Sequence, residues 1–213
     1  QAVLNVKSDV QVKDTLKTDA KGKLEVRLND GTVVALGPSS DATVSEFIIT
    51  DTKNSFKASI TKGAARVVTG DLVKRNPNGF KITTPRSTVG IRGTEVVFVV
   101  QGGNEIFSVT NIGAGSYVSV VDNMNGKRHR LDDPGQSLIS PRNTPARVVK
   151  NSAAMQRLIN TISQGINSGN MQDIEKNVKD VISEANKVDG GGSQSRGGQG
   201  GAQPEKKNDG PLG

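Results

Sequence analysis

His129 is the only imidazole in the chain, and it stands in the run Lys127-Arg128-His129-Arg130 with Asp132 and Asp133 just beyond. A histidine beside carboxylates is the arrangement of a general base with its orienting acid. Here the flanking cations lower its proton affinity and no nucleophile motif accompanies it, so an exposed loop histidine is the better reading. The same acids, with Asn123 and Asn125 upstream, offer the hard oxygens that calcium takes. No D-x-D-x-D-G repeat surrounds them, and a solvated turn is expected instead. The stretch Gly90-Ile91-Arg92-Gly93-Thr94 lacks GxxxxGK(S/T) spacing and leads into a strand, so no helix N-terminus waits there for a phosphate. The 213 residues include no cysteine, which excludes thiolate nucleophiles, disulfides and thiolate zinc sites, and a single histidine excludes multi-histidine metal sites. The chain therefore reads as non-enzymatic, without catalytic residues, metal or cofactor.

Charge is the remaining chemical signal. The net charge is +7, and all of it belongs to residues 1–150, which carry 21 Lys and Arg against 14 Asp and Glu; residues 151–213 carry seven of each. Arg66, Arg86, Arg92, Arg128 and Arg130 form the candidate basic interaction surface. Basic domains often bind nucleic acid. Binders of single strands interleave aromatic rings with their cations, however, and this chain has one Tyr, five Phe and no Trp. Nucleic acid is disfavoured for that reason, and an envelope protein, an anionic polymer or plain solubility explains the same charge equally well.

These residues must be positioned by strands. Leu24, Val26 and Leu28 alternate with polar residues, as do Phe56, Ala58 and Ile60, and then Phe80 and Ile82. Continuous strand-like runs follow at 96–100, 106–109 and 117–121, broken only by Ser108 and Ser119. Turn signals separate them, including Asn29-Asp30-Gly31, Gly37-Pro38, Asn76-Pro77-Asn78-Gly79, Gly102-Gly103-Asn104 and Asn125-Gly126. Residues 1–150 are thus expected to form an all-β domain of many short strands, a sandwich, barrel or solenoid. Asp30 and Gly31 fit a two-residue hairpin turn, and Pro85 marks a strand end. Gly93 permits a bulge or close backbone approach before Val96, and Thr94 offers its hydroxyl to nearby backbone donors.

In order and spacing, residues 24–40 with their Asp-Gly turn, the Lys62-Gly63 turn feeding 64–68, and residues 80–100 resemble the FecR domain. The resemblance extends from about Thr15 to about Val121. Its most specific part is Thr83-Thr84-Pro85 leading through Val89 to Gly93-Thr94 and a β-branched strand. The FecR domain is the periplasmic module named after the regulator of ferric citrate transport. The resemblance implies a mainly β, non-enzymatic extracytoplasmic module that binds or scaffolds at the bacterial envelope. It also admits the periplasmic signalling part of an iron-uptake regulator.

Beyond 150 the period changes. Met155, Leu158, Ile159, Ile162 and Ile166 recur at helical spacing, with Ser152 placed as a cap. Gly165 to Gly169 are expected to end that helix, and Met171, Ile174, Val178, Val181, Ile182 and Ala185 form a second stripe. Residues 151–188 read as an amphipathic helical hairpin, and the Gly-rich residues 189–213 as a disordered tail. The stripes pack within the chain or join copies into a homo-oligomer, and a ring or filament built through strand edges and these helices is the rival to a simple binding module. No run of apolar residues is long enough to span a bilayer. Gln1 is expected to follow a removed signal peptide, which places the protein in the periplasm or outside the cell.

Overall fold

The computed structural model describes residues 3–168 and 171–190, with the side chains of 165–168 and 188–190 left aside. The strands are β1 (Thr15–Lys17), β2 (Leu24–Arg27), β3 (Val33–Leu36), β4 (Asp41–Ile49), β5 (Asn54–Val68), β6 (Phe80–Thr83), β7 (Ser87–Gln101), β8 (Asn104–Asp122), β9 (Arg128–Leu131), β10 (Gln136–Ser140) and β11 (Arg147–Lys150). The helices are α1 (Leu72–Arg75), α2 (Ala153–Ser168) and α3 (Met171–Gly190). The protein is mainly β, as its alternation predicts. The strand-like runs at 106–109 and 117–121 lie in one long strand, β8, rather than in two short ones.

Three strands organise the rest. β5, β7 and β8 are 15, 15 and 19 residues long, and each belongs to two layers. The first half of β5 lies between β4 and β6, and its second half between β3 and β7. The two halves of β7 and β8 divide in the same way, giving a first layer β1-β4-β5-β6-β7-β8-β9 and a second layer β2-β3-β5-β7-β8-β10-β11. All ladders are antiparallel except β5 with β6. Residues 69–79, carrying α1, return the chain to the first layer so that β6 can run parallel to β5.

Each long strand turns its corner at glycine. Gly63 has φ +97° and Gly93 φ +66°, and β8 carries Gly113 and Gly115 in the stretch between its paired segments. A Cβ on Gly63 would stand 2.2 Å from the Ser40 hydroxyl, which itself bonds the backbone of Ala64 in both directions at 3.0 Å. Gly63 is therefore a bend inside β5, not the chain-reversing turn expected for Lys62-Gly63. Gly93 sits at a register shift between Arg92 and Thr94. These irregularities also reverse the in-out parity. Phe56, Ala58 and Ile60 point inward before Gly63, and Ala65 and Val67 after it. In β7, Val89 and Ile91 are followed inward by Val96, Phe98 and Val100. One apolar core can thereby fill the space between both layers, with Phe56 stacked on Phe80 at 4.4 Å and Phe98 edge-on to Phe107 at 5.3 Å.

The outer face of the second layer is apolar too. Ala35, Ala64, Val97, Val99, Ile106 and Ile139 form a second core with Ala154, Met155, Leu158, Ile159 and Ile162 of α2. Met171, Ile174, Val178 and Val181 of α3 complete it. Burial on both faces is why 96–100 is a continuous apolar run. Ser152 caps α2 by accepting the Met155 N–H at 3.2 Å. The helix continues through Gly165 to Ser168, past its expected end, because a single glycine costs a helix only about 1 kcal/mol. α3 likewise reaches Gly190. Ile166 and the tail from 191 onward lie outside what is described.

Both helical stripes are thus spent inside the chain. Leu158→Ala should lower the unfolding free energy by about 2–5 kcal/mol, read by denaturant titration. Truncation after Lys150 should yield a fragment that binds a hydrophobic dye or aggregates. A soluble, dye-silent fragment 1–150 would contradict the shared core.

Candidate functional site

The five arginines singled out by charge occupy three different settings. Arg66 lies on the helix-covered side and makes a two-pronged pair with Glu95, Nε to Oε1 at 2.8 Å and Nη2 to Oε2 at 3.0 Å. Burial works to raise the Glu95 carboxyl, but its bonds from Arg66 and Thr110 outweigh this and hold it below the usual glutamate range. Arg86 donates to the carbonyls of Gly103, Ser140, Pro141 and Thr144, tying three loops together. Neither guanidinium is offered to a partner.

Arg86 belongs to the turn that the sequence resemblance stressed, and the turn is held by a buried acid. Glu105 is 1% exposed. Its Oε2 accepts the hydroxyls of Thr84 at 2.8 Å and Ser87 at 2.7 Å, and its Oε1 accepts the Arg86 N–H at 2.9 Å. Pro85 stands exposed at the tip, after the end of β6. Asp30 has a similar duty. Its carboxylate accepts the Thr32 N–H and hydroxyl and also the Leu72 N–H at the start of α1. The hairpin it shapes has a three-residue loop, 29–31, closed by Leu28 N–H to the Thr32 carbonyl, one residue longer than expected; Gly31, at φ +82°, supplies the left-handed residue such loops use. The Thr94 hydroxyl donates to the carbonyls of Glu95 and Asn111, whereas it was expected to accept from backbone donors.

His129 pairs with Val120 on β9 and shares its inward face. Burial first, and then Lys127, lower its pKa against the pull of Asp122, which favours the neutral imidazole. Asp132 is bonded to Arg130, and Asp133 to the Gly135 N–H, so neither orients the histidine. The Asn125 side-chain oxygen Oδ1 accepts the Lys127 N–H as a turn cap. Among the described residues no cluster of acids and histidine fit for a metal ion occurs. A hollow of about 440 Å³ beside the β2–β3 hairpin is lined by Asn29, Asp30, Asp71 and Arg75, among others. Its two carboxylates are already engaged, Asp71 by Lys74 at 2.6 Å.

What remains is a surface. Among the described residues no helix lies over the outer face of the first layer, and the ladders align its residues in rows. One row runs Thr43, Ser59, Thr83, Thr88, Val121, Arg128, and the next Lys57, Lys81, Gly90, Ser119, Arg130. Arg92 and Tyr117 pair at the corner end, and the guanidiniums of Arg130 and Arg92 lie 3.9 and 5.6 Å from the Tyr117 ring centre. Three of the five arginines thus meet on one face. Sequence reasoning missed Lys57 and Lys81, although their outward places in Phe56-Lys57-Ala58 and Phe80-Lys81-Ile82 carried the signal.

The family described as FecR protein matches residues 14–124, more than half of the chain, and spans all of β1 to β7 and β8 to its end. The chain belongs to the FecR family. Its glycine corners and its Glu105-held Thr-Pro turn lie inside the matched region. Two crystal structures of a proposed anti-sigma factor from Parabacteroides distasonis share the fold. One aligns with a TM-score of 0.52 at 18% identity, over 70% of this chain and 64% of that one. The other gives 0.51 at 19% identity, over 68% and 63%. This FecR chain therefore spans less than two thirds of their length. No curated protein matches it.

Glu105→Ala would strand two buried hydroxyls and an N–H, and should cost on the order of 3 kcal/mol in denaturant titration. Acid should weaken the fold as well. Asp122 is fully buried; burial raises its carboxyl, but the N–H groups of Ala146 and Met124, with Arg86 and His129, more than compensate and lower its pKa. A folded pKa below the unfolded value gives stability that is complete above about pH 4 and is lost as pH falls through the folded pKa. Asp122→Asn should flatten that acid limb, and an unchanged limb would rule out this source.

Proposed function

We propose that this FecR-family chain is a non-enzymatic regulatory and binding module that works outside the cytoplasm, with the uncovered face of its first layer as the recognition surface. The family match carries the reading, since the FecR module is a regulatory one associated with the periplasm. The disposition of reactive groups supports it: the lone histidine faces inward, and the buried acids Glu105 and Asp122 hold turns. Among the described residues no helix is long and apolar enough to cross a membrane. The structural neighbours are a proposed anti-sigma factor, which accords with a signalling role of the same kind. Self-assembly through the helices receives no support, because Leu158, Ile162, Ile174 and Val181 are buried within the chain.

A photo-crosslinking residue placed at Thr83, exposed on the first layer, should capture an envelope component in living cells; the same probe at exposed Arg157 on α2 should not. Capture of cytoplasmic proteins from Thr83 would overturn the extracytoplasmic assignment. Equal capture from both positions would remove the first layer as the recognition surface.

A further inference from the structure

We infer that the uncovered face of the first layer is a binding site for a linear, carboxylate-bearing polysaccharide lying across the strands. The inference rests on the extracytoplasmic binding reading and names the ligand class of that face. Its charge is one-sided. Lys57, Lys81, Arg92, Arg128 and Arg130 project from β5, β6, β7 and β9, and in the first-layer segments of β5 to β9 no carboxylate stands among the paired outward positions. Two acids stand at the ends of the Lys57-to-Arg130 row: Glu46 of β4 pairs with Lys57 and engages it at 3.2 Å, and Asp132, just past β9, engages Arg130 at 2.9 Å. This leaves Lys81, Arg92 and Arg128 as the cations without a carboxylate bonded to them among the described residues.

The shape selects an extended chain over a compact ligand. At the middle of the Lys81-to-Arg130 row stands Gly90, where an added Cβ would meet nothing nearer than the Ser119 carbonyl at 3.9 Å. This leaves a shallow saddle with cations on both sides. The adjacent row of Thr43, Ser59, Thr83 and Thr88 supplies hydroxyls that repeat at the strand spacing, about 4.8 Å, comparable to the advance of one sugar ring. Hydroxyl beside cation, repeated across strands, matches a polymer that alternates sugar hydroxyls with carboxylates.

The single aromatic ring argues against nucleic acid. Stacking of bases needs free ring faces. The Tyr117 ring already has the guanidiniums of Arg130 and Arg92 at 3.9 and 5.6 Å from its centre, and guanidinium is the group that suits carboxylates.

Binding of the intact protein to polygalacturonate, measured calorimetrically at physiological ionic strength, tests the assignment. The double substitution Lys81→Gln with Arg128→Gln removes two exposed charges, and the fold of the variant is checked by its thermal melt. It should weaken binding at least about tenfold and reduce the slope of log affinity against log salt by roughly one per cation removed. Arg157→Gln, on the helical side, should leave both unchanged. Methyl-esterified polygalacturonate should not bind. An unaltered affinity in the double variant, or no binding by the wild type, overturns the site. Tighter binding to DNA would assign the face to nucleic acid, and equal binding to polyglutamate would assign it to acidic protein. Either of these last results overturns the polysaccharide while leaving an extracytoplasmic binding module intact; only cytoplasmic capture in the crosslinking experiment removes that reading.

Discussion

A single sheet can enclose a core only if its long strands bend at the same level, and three strands here meet that requirement with glycine. Gly63, Gly93 and the Gly113-to-Gly115 stretch lie at the crease between the two layers. Because each crease shifts the alternation by one, the inner face remains apolar on both sides of it. β6 enters only on one side of the crease, keeping β5 and β7 apart in the first layer, while in the second they pair directly. The polar clasps then follow. Ser40 bonds the backbone at the Gly63 crease, and Glu105 secures the turn that carries the chain from β6 to β7.

The two outer faces have opposite fates. That of the second layer is apolar and covered by α2, with α3 packed behind it; that of the first is polar, basic and bare. The positive charge of residues 1–150 is therefore not spread evenly in function. Arg66 and Arg86 are absorbed into the structure, and Arg92, Arg128 and Arg130 are displayed beside Lys57 and Lys81. The same residue type thus serves the fold at two positions and faces solvent at three. Arg66 is held by a carboxylate on the neighbouring strand and Arg86 by backbone carbonyls of distant loops, whereas the acceptor of Arg130 is the exposed Asp132 two residues on.

Much of the fold was legible because period and turn chemistry are local. Phe56, Ala58 and Ile60 reveal a strand, Asn76 to Gly79 a turn, and Ser152 a helix start without knowledge of any partner. The crease was not, because a glycine in a strand and a glycine in a hairpin look the same until the pairing of both neighbours is known. The role of Glu105 was equally hidden. Nothing in Asn104-Glu105-Ile106 announces that its carboxylate meets a turn 18 to 21 residues earlier. The basic face suffered from the opposite problem: every cation was visible, yet only the ladder register sorted those that share a surface.

The order in which the chain is made gives the helical cover a further meaning. Residues 96–100 form a β-branched, uncharged run of the kind that pairs readily with copies of itself, and their outer neighbours include Ile106 and Ile139. The residues that shield this side, 154–181, emerge from the ribosome after every strand. A chain whose sheet has formed before α2 and α3 dock therefore still carries an adhesive flank. Docking of α2 and α3 removes that flank, and the cover is complete when Val181 reaches its place.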